Sequence, residues 1–185
     1  MNKKLSEMSL EELWQLFPIF LVEHKPYWKD WYTEEENELK KILPSQEIVQ
    51  INHIGSTAIA GIWAKPIIDI LVELSYNSDM HTIEELLLHH GFLEMSHSDG
   101  RISLNKGYTE DGFEEKVFHL HLRYEGDHDE IYFRDYLNEN PAIAKQYEEL
   151  KLSLWKKYKF NRDGYTEAKT AFILKYTKLA QKNNK

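Results

Sequence analysis

Hydrophobic and polar positions change period several times along the chain, and each change predicts an element. Ser9 stands three residues before Glu12 where an apolar pattern begins. At that spacing a hydroxyl and a carboxylate satisfy the free N–H groups of a helix start, so residues 10–16 read as a short helix that ends near Pro18. Over residues 27–43, Trp28, Trp31, Tyr32, Leu39 and Ile42 recur at helical spacing with acidic residues between them, which predicts a second, amphipathic helix closed by Pro44. Residues 47–54 and 67–74 are β-branched runs of strand length. The segment between them carries Gly55, Gly61 and Pro66 and reads as a loop. Residues 81–90 are helical and stop at Gly91. Residues 92–95, 102–106 and 117–124 predict three more strands, with Asp99 and Gly100 forming a turn. From Ile131 the period is helical again, with breaks at Pro141 and near residues 161–164.

That order predicts an α+β fold: one domain over residues 1–185, with helices over 1–44, a mixed sheet over 45–125 and a helical segment over 126–185. The strands at 47–54 and 67–74 are expected in one sheet with helices on one side of it. The last three helices are expected to pack over the mouth of the site. Neither an internal repeat nor a low-complexity tract is visible.

The composition fits this picture. At 185 residues and 42% apolar content, the chain is long enough to fill one core and short for two full domains. The formal charge of -8 argues against a protein dedicated to coating nucleic acid. With no cysteine, disulfides, thiolate zinc sites, iron–sulfur clusters and thiol catalysis are excluded. The charge is polarised: residues 151–185 hold 10 Lys and Arg against Asp163 and Glu167. That segment reads either as a basic face for phosphate, nucleotide or RNA, or as a solvated lysine-rich helix end. The first twenty residues lack the apolar run of a signal peptide. No stretch approaches the roughly 18 apolar residues that span a bilayer, so a cytoplasmic address without membrane contact is expected.

The chemistry concentrates in residues 53–74. A charged Asp69 among Ile67, Ile68, Ile70 and Leu71 is costly to desolvate unless a cation pairs with it, either a bound metal or a structural partner such as Lys65 or Arg134. Gly55, Ser56 and Thr57 at the end of the preceding strand form either a plain tight turn or a cradle whose backbone N–H groups receive phosphate. His119 and His121 alternate with Phe118, Leu120 and Leu122, so they project from one face of a strand as metal ligands, phosphate-polarising groups or ordinary surface residues. Arg134 and Asp135 read as a surface pair or as a guanidinium aimed at phosphate or at Asp69. Tyr165 and Lys169, four apart, share a face of the last helix. Lys65 is the nearest cation to the glycine turn.

Several of these residues fall in motifs that resemble the GrpB family: His53-Ile-Gly-Ser-Thr, then Lys65-Pro-Ile-Ile-Asp-Ile, His119-Leu-His121, Phe133-Arg-Asp-Tyr-Leu and Tyr165-Thr-Glu-Ala-Lys169, in order over most of the chain. That family resembles the nucleotidyltransferase superfamily, whose signature is Gly-Ser at a strand end followed by a strand bearing Asp-x-Asp or Asp-x-Glu. Its carboxylates hold divalent metal against a nucleotide triphosphate. The resemblance carries over for Gly55, Ser56 and Asp69 and departs at Leu71, where the second carboxylate would stand. Glu73 has the right face but lies about 13 Å along the strand from Asp69, too far to share an ion directly.

Three functions are therefore expected as alternatives. One is a metal-dependent nucleotidyl- or phosphoryl-transfer enzyme acting on a nucleotide or phosphorylated small molecule. In it Asp69 and His121, with His119, hold magnesium or manganese, and Gly55, Ser56, Thr57, Lys65, Arg134, Tyr165 and Lys169 hold the phosphates. The second is a non-catalytic binder of the same ligands. The third is an accessory module contacting RNA or a protein through the basic C-terminal segment.

Overall fold

Residues 3–183 are described by the structure, a computed structural model; the end of the basic run, Asn184 and Lys185, lies outside the described residues. The Ser9 hydroxyl accepts from the Glu12 N–H at 3.2 Å while the Glu12 carboxylate accepts from the Ser9 N–H at 2.6 Å, and this pair opens α1 (Leu10–Leu16). Two more helices follow in the first half, α2 (Trp28–Ile42) and α3 (Met80–His89). Five strands, β1 (Ile48–Ile54), β2 (Ile68–Leu74), β3 (Leu93–Ser98), β4 (Arg101–Thr109) and β5 (Gly112–Tyr124), form one mixed sheet in the order β1-β2-β5-β4-β3. Only β2 and β5 pair in parallel. A parallel partner cannot be reached by a tight turn, and the chain returns to β2 by way of α3 and the β3–β4 hairpin.

Strand alternation divides the sheet into an apolar and a polar face. Ile68, Ile70, Val72 and Leu74 of β2, with Phe118, Leu120 and Leu122 of β5 and Ile102 and Leu104 of β4, pack against Trp28 and Leu39 of α2 and Ile83 and Leu87 of α3. The intervening residues face the other way. The β2–β5 register sets Asp69 opposite His119, Leu71 opposite His121 and Glu73 opposite Arg123.

Helices α4 (Asp129–Glu139), α5 (Pro141–Tyr158) and α6 (Arg162–Asn183) stand over this second face. They join one another and the loop after β1 through a separate cluster that includes Ile59, Ile62, Phe133, Leu137, Tyr147 and Tyr176. The expectation of helices on one side therefore describes α2 and α3, which use up the apolar face. The last three helices cover the polar face, as the placement over the site's mouth requires. Pro141 starts α5 directly after Asn140, where its missing N–H costs nothing.

Strands β4 and β5 run well past the expected ends at Lys106 and Val117, meeting at a turn at Glu110 and Asp111, and β3 continues to Ser98. Polar residues on both faces hide the period of two there; all six residues of β3 are exposed. Among the described residues no helix is long and apolar enough to cross a membrane.

Candidate functional site

The turn that ends β1 is built around Asp69. Antiparallel pairing of β1 with β2 sets Ile54 opposite Asp69, and the chain then turns at Gly55, with φ 71° and ψ -171°, into a single helical turn, Ser56–Ala58. A Cβ on Gly55 would stand 2.8 Å from Asp69 Cγ. Glycine is thus needed twice, for the left-handed backbone and for the approach of the carboxylate. Thr57 is buried: its hydroxyl donates to the Ile67 carbonyl at 3.1 Å and sits 2.9 Å from His53 Nε2. It ties the turn to β2 from behind, away from the open side.

Two imidazoles converge on one Asp69 oxygen, His119 Nδ1 at 3.3 Å and His121 Nε2 at 3.4 Å from Oδ1. Behind His119, its Nε2 meets the Tyr108 hydroxyl at 2.8 Å and an Arg162 Nη2 at 3.2 Å. A guanidinium only donates, so His119 Nε2 is the acceptor and its proton sits on Nδ1, facing Asp69. His119 is therefore neutral. Burial points the same way, pushing the imidazole down to about 4 against the opposing pull of Asp69. Burial pushes the Asp69 carboxyl up, but the hydrogen bonds from His119 and His121 outweigh it and hold it well below the usual carboxylate range. Asp69 is ionised at neutral pH. His121 has no such backing from Arg162 and keeps 24% of its side chain open to the cavity.

Gly55, Ser56, Asp69, His119 and His121 line a cavity of about 500 Å³ under α4–α6. Four cationic side chains line it as well: Lys65 from the loop, Lys151 from α5, and Arg162 and Lys169 from α6. None of the four pairs with a carboxylate among the described residues. Lys65 and Lys169 lie 5.7 and 4.6 Å from the centre of the Tyr165 ring, and Lys151 donates to the Trp63 carbonyl. Burial, reinforced by the neighbouring cations, pushes Lys65 and Lys151 down to about 7; burial, with Arg162 beside it and Asp69 opposing, brings Lys169 to about 8. Asp129 and Glu130, at the start of α4, are the other acidic residues lining the cavity.

Arg134 is placed elsewhere. Its Nη1 donates to the His53 carbonyl at 2.7 Å and its Nε to Asp135 at 2.7 Å, so it braces α4 against β1 and points neither at Asp69 nor into the cavity. The partners of Asp69 are two histidines, with neither Lys65 nor Arg134 in contact. Glu73 is fully buried and bound to Gln50, to the Gly126 N–H at 2.8 Å and to His128 at 2.8 Å, while Leu71 is buried at the signature's second position. For a divalent ion the cavity thus offers the Asp69 carboxylate and the His121 imidazole. The Nδ1 proton removes His119 from that donor set.

Lys151, Arg162, Tyr108 and Tyr147 were not singled out by the sequence pattern. Lys151 carried a signal, standing four residues after Tyr147 at the buried phase of α5. Arg162 lies in the break between α5 and α6, where no periodicity places it.

Comparison with known proteins gives a consistent result. A family model described as GrpB protein matches residues 18–179. The chain is 38% identical over 161 residues to Glutamate-rich protein GrpB of Alkalihalophilus pseudofirmus, covering 84% of this chain and 91% of that one. It is 28% identical to UPF0157 protein YqkA of Bacillus subtilis, of which it spans 52%. Among solved structures, GrpB from Enterococcus faecalis superposes with a TM-score of 0.76 at 32% identity, over 89% of this chain and 99% of that one. Cid1 poly(U) polymerase, solved with MgATP and with MgGTP, shares the fold at TM-scores of 0.52 and 0.51 and 14% identity, over 80% of this chain and 47% of that one.

Proposed function

The chain belongs to the GrpB family and has a nucleotidyltransferase-like fold, and from that premise we propose that its cavity binds a nucleotide or related phosphate compound and transfers its nucleotidyl or phosphoryl group. One observation carries the proposal: Lys65, Lys151, Arg162 and Lys169 line the cavity around Asp69, and among the described residues none of the four has a carboxylate partner. Unpaired cations in a partly dry cavity are costly to the fold, and a multiply charged anion is the ligand that relieves them. The magnesium–nucleotide complexes of Cid1, which shares the fold, support the same class of ligand.

In this reading the Gly55–Ser56 turn receives phosphate oxygens on backbone N–H groups. Lys65, Arg162 and Lys169 neutralise them, and Tyr165 holds the two lysines in place. Thr57 and Arg134 brace the turn and the strand beneath it. Asp69 and His121 would hold one magnesium or manganese ion, which offsets phosphate charge when bound. A two-ion mechanism finds no second carboxylate, because Leu71 fills that position and Glu73 is committed elsewhere.

The same Leu71 favours a second reading, a binder of these ligands without transfer chemistry. An RNA- or protein-binding face gains less support, since Lys151, Arg162 and Lys169 of the basic segment turn into the cavity. Calorimetric titration with nucleoside triphosphates, with and without magnesium or manganese, followed by an assay for released pyrophosphate or phosphate, separates these readings. Metal-dependent binding with turnover is the expected outcome. Binding without turnover supports the second reading, and no binding overturns both.

A further inference from the structure

On the opposite face of the sheet from the cavity, three side chains converge where α3 meets the edge strand. His81 and Glu84 stand three apart on α3 and so share a face. His97 on β3 pairs with Ile102, a residue of the apolar face against which α3 packs, so the alternation of the strand turns His97 toward the helix. His81 Nδ1 lies 3.4 Å and His97 Nδ1 3.9 Å from the same Glu84 Oε2. One ligand atom from each residue falls within 4.8 Å of the others.

We propose that His81, Glu84 and His97 form a site for a divalent transition metal of the zinc class, which clamps β3 to α3. Glu84 is 6% exposed, and its second oxygen, Oε1, is buried without a hydrogen-bond partner. At 3.4 and 3.9 Å the two imidazoles approach Oε2 alone, which leaves that carboxylate half satisfied. A doubly charged ion compensates the whole group. Two imidazoles and one carboxylate are ligands that zinc accepts, whereas magnesium and calcium prefer all-oxygen shells. At zinc–ligand bonds of about 2.0 to 2.1 Å, tetrahedral ligand atoms stand about 3.3 Å apart. The His81–Glu84 pair already has that spacing, and a small rotation of the exposed His97 brings in the third. The fourth position faces solvent beside His81, whose side chain is 70% exposed, and takes water.

The consequence falls on β3. All six of its residues are exposed, and it pairs with β4 alone at the sheet edge, so the metal adds a second tether to an otherwise loosely held strand. Amide hydrogen exchange of residues 93–98, measured on the full chain with and without zinc, tests this. Zinc is expected to slow exchange there in the wild type and in Asp69→Asn, whose change lies in the separate cavity. The protection should be lost in both His97→Ala and His81→Ala, with zinc affinity at this site roughly tenfold or more weaker. Both histidines are exposed enough for the variants to fold. If zinc leaves β3 exchange unchanged in the wild type, or protects it equally in the two histidine variants, the proposal is overturned.

Discussion

Two imidazoles share one oxygen of Asp69, and among the described residues no lysine or arginine forms a salt bridge with it. This decides what its replacement does. In Asp69→Asn the amide oxygen still accepts from His119 and His121, so melting in metal-free buffer should fall by only a few degrees, about 1 kcal/mol or less for a domain of this size. Binding of the metal–nucleotide complex should fall at least about tenfold, while binding of nucleotide without metal should not weaken, because a negative charge has left a cationic cavity. Calorimetry and a thermal melt on the same sample check both; a large melting loss with metal–nucleotide affinity intact would make Asp69 architectural. From sequence, Asp69 was conspicuous as the lone charge in an apolar strand. His119 and His121 were expected to join it as metal ligands, but their direct pairing with it was not legible, because they come from β5, fifty residues on, where the parallel register sets His119 opposite Asp69 and His121 opposite Leu71.

At the scale of elements, the strand–turn–strand unit from β1 to β2 does most of the positioning. Gly55 and Gly61 have nearly the same φ, 71° and 72°, but a side chain at Gly61 meets open space while one at Gly55 meets the Asp69 carboxylate. Gly61→Ala should therefore show only the strain of a left-handed residue, on the order of 1 kcal/mol. Gly55→Ala should lose clearly more, on the order of 1 to 3 kcal/mol beyond that, and should lose ligand binding too. Equal melting losses in the two variants would show that Asp69 does not press on the turn.

The elements themselves were largely legible. Apolar period marked α1, α2, β1 and β2 almost to their ends, and Pro141 marked the α4–α5 break. The β4–β5 turn was missed because Glu114, Glu115 and Lys116 break the apolar pattern, although Asp111-Gly112 offered a hairpin signal. Arg134 misled in the opposite way: a guanidinium near a family motif invites a phosphate, yet a carbonyl at the end of β1 takes it.

The molecule as a whole is acidic, with a cationic cavity under its C-terminal helices. Lys65, Lys151 and Lys169 are held at about 7, 7 and 8, below the usual lysine value, so between those values and about 10.5 the unfolded chain binds more protons than the folded one. Ligand-free stability should then rise with pH over that window. Anion binding should behave oppositely, strong below about 7 and weakening as pH rises through 7 to 9, since the ligand must draw protons back onto the lysines. Binding heats measured in buffers of different ionisation enthalpy should show net proton uptake near pH 8; heats independent of buffer would contradict this.

The central claim is that these cations are kept, at a cost to the fold, for an anionic ligand, and Lys65→Met tests it most directly by removing one charge while keeping an apolar stem. Measured at pH 7 without ligand and then titrated with a nucleoside triphosphate, the variant should melt higher than wild type and bind about tenfold more weakly, the loss of one charged hydrogen bond. A variant that melts lower and binds the nucleotide as tightly as wild type would contradict it.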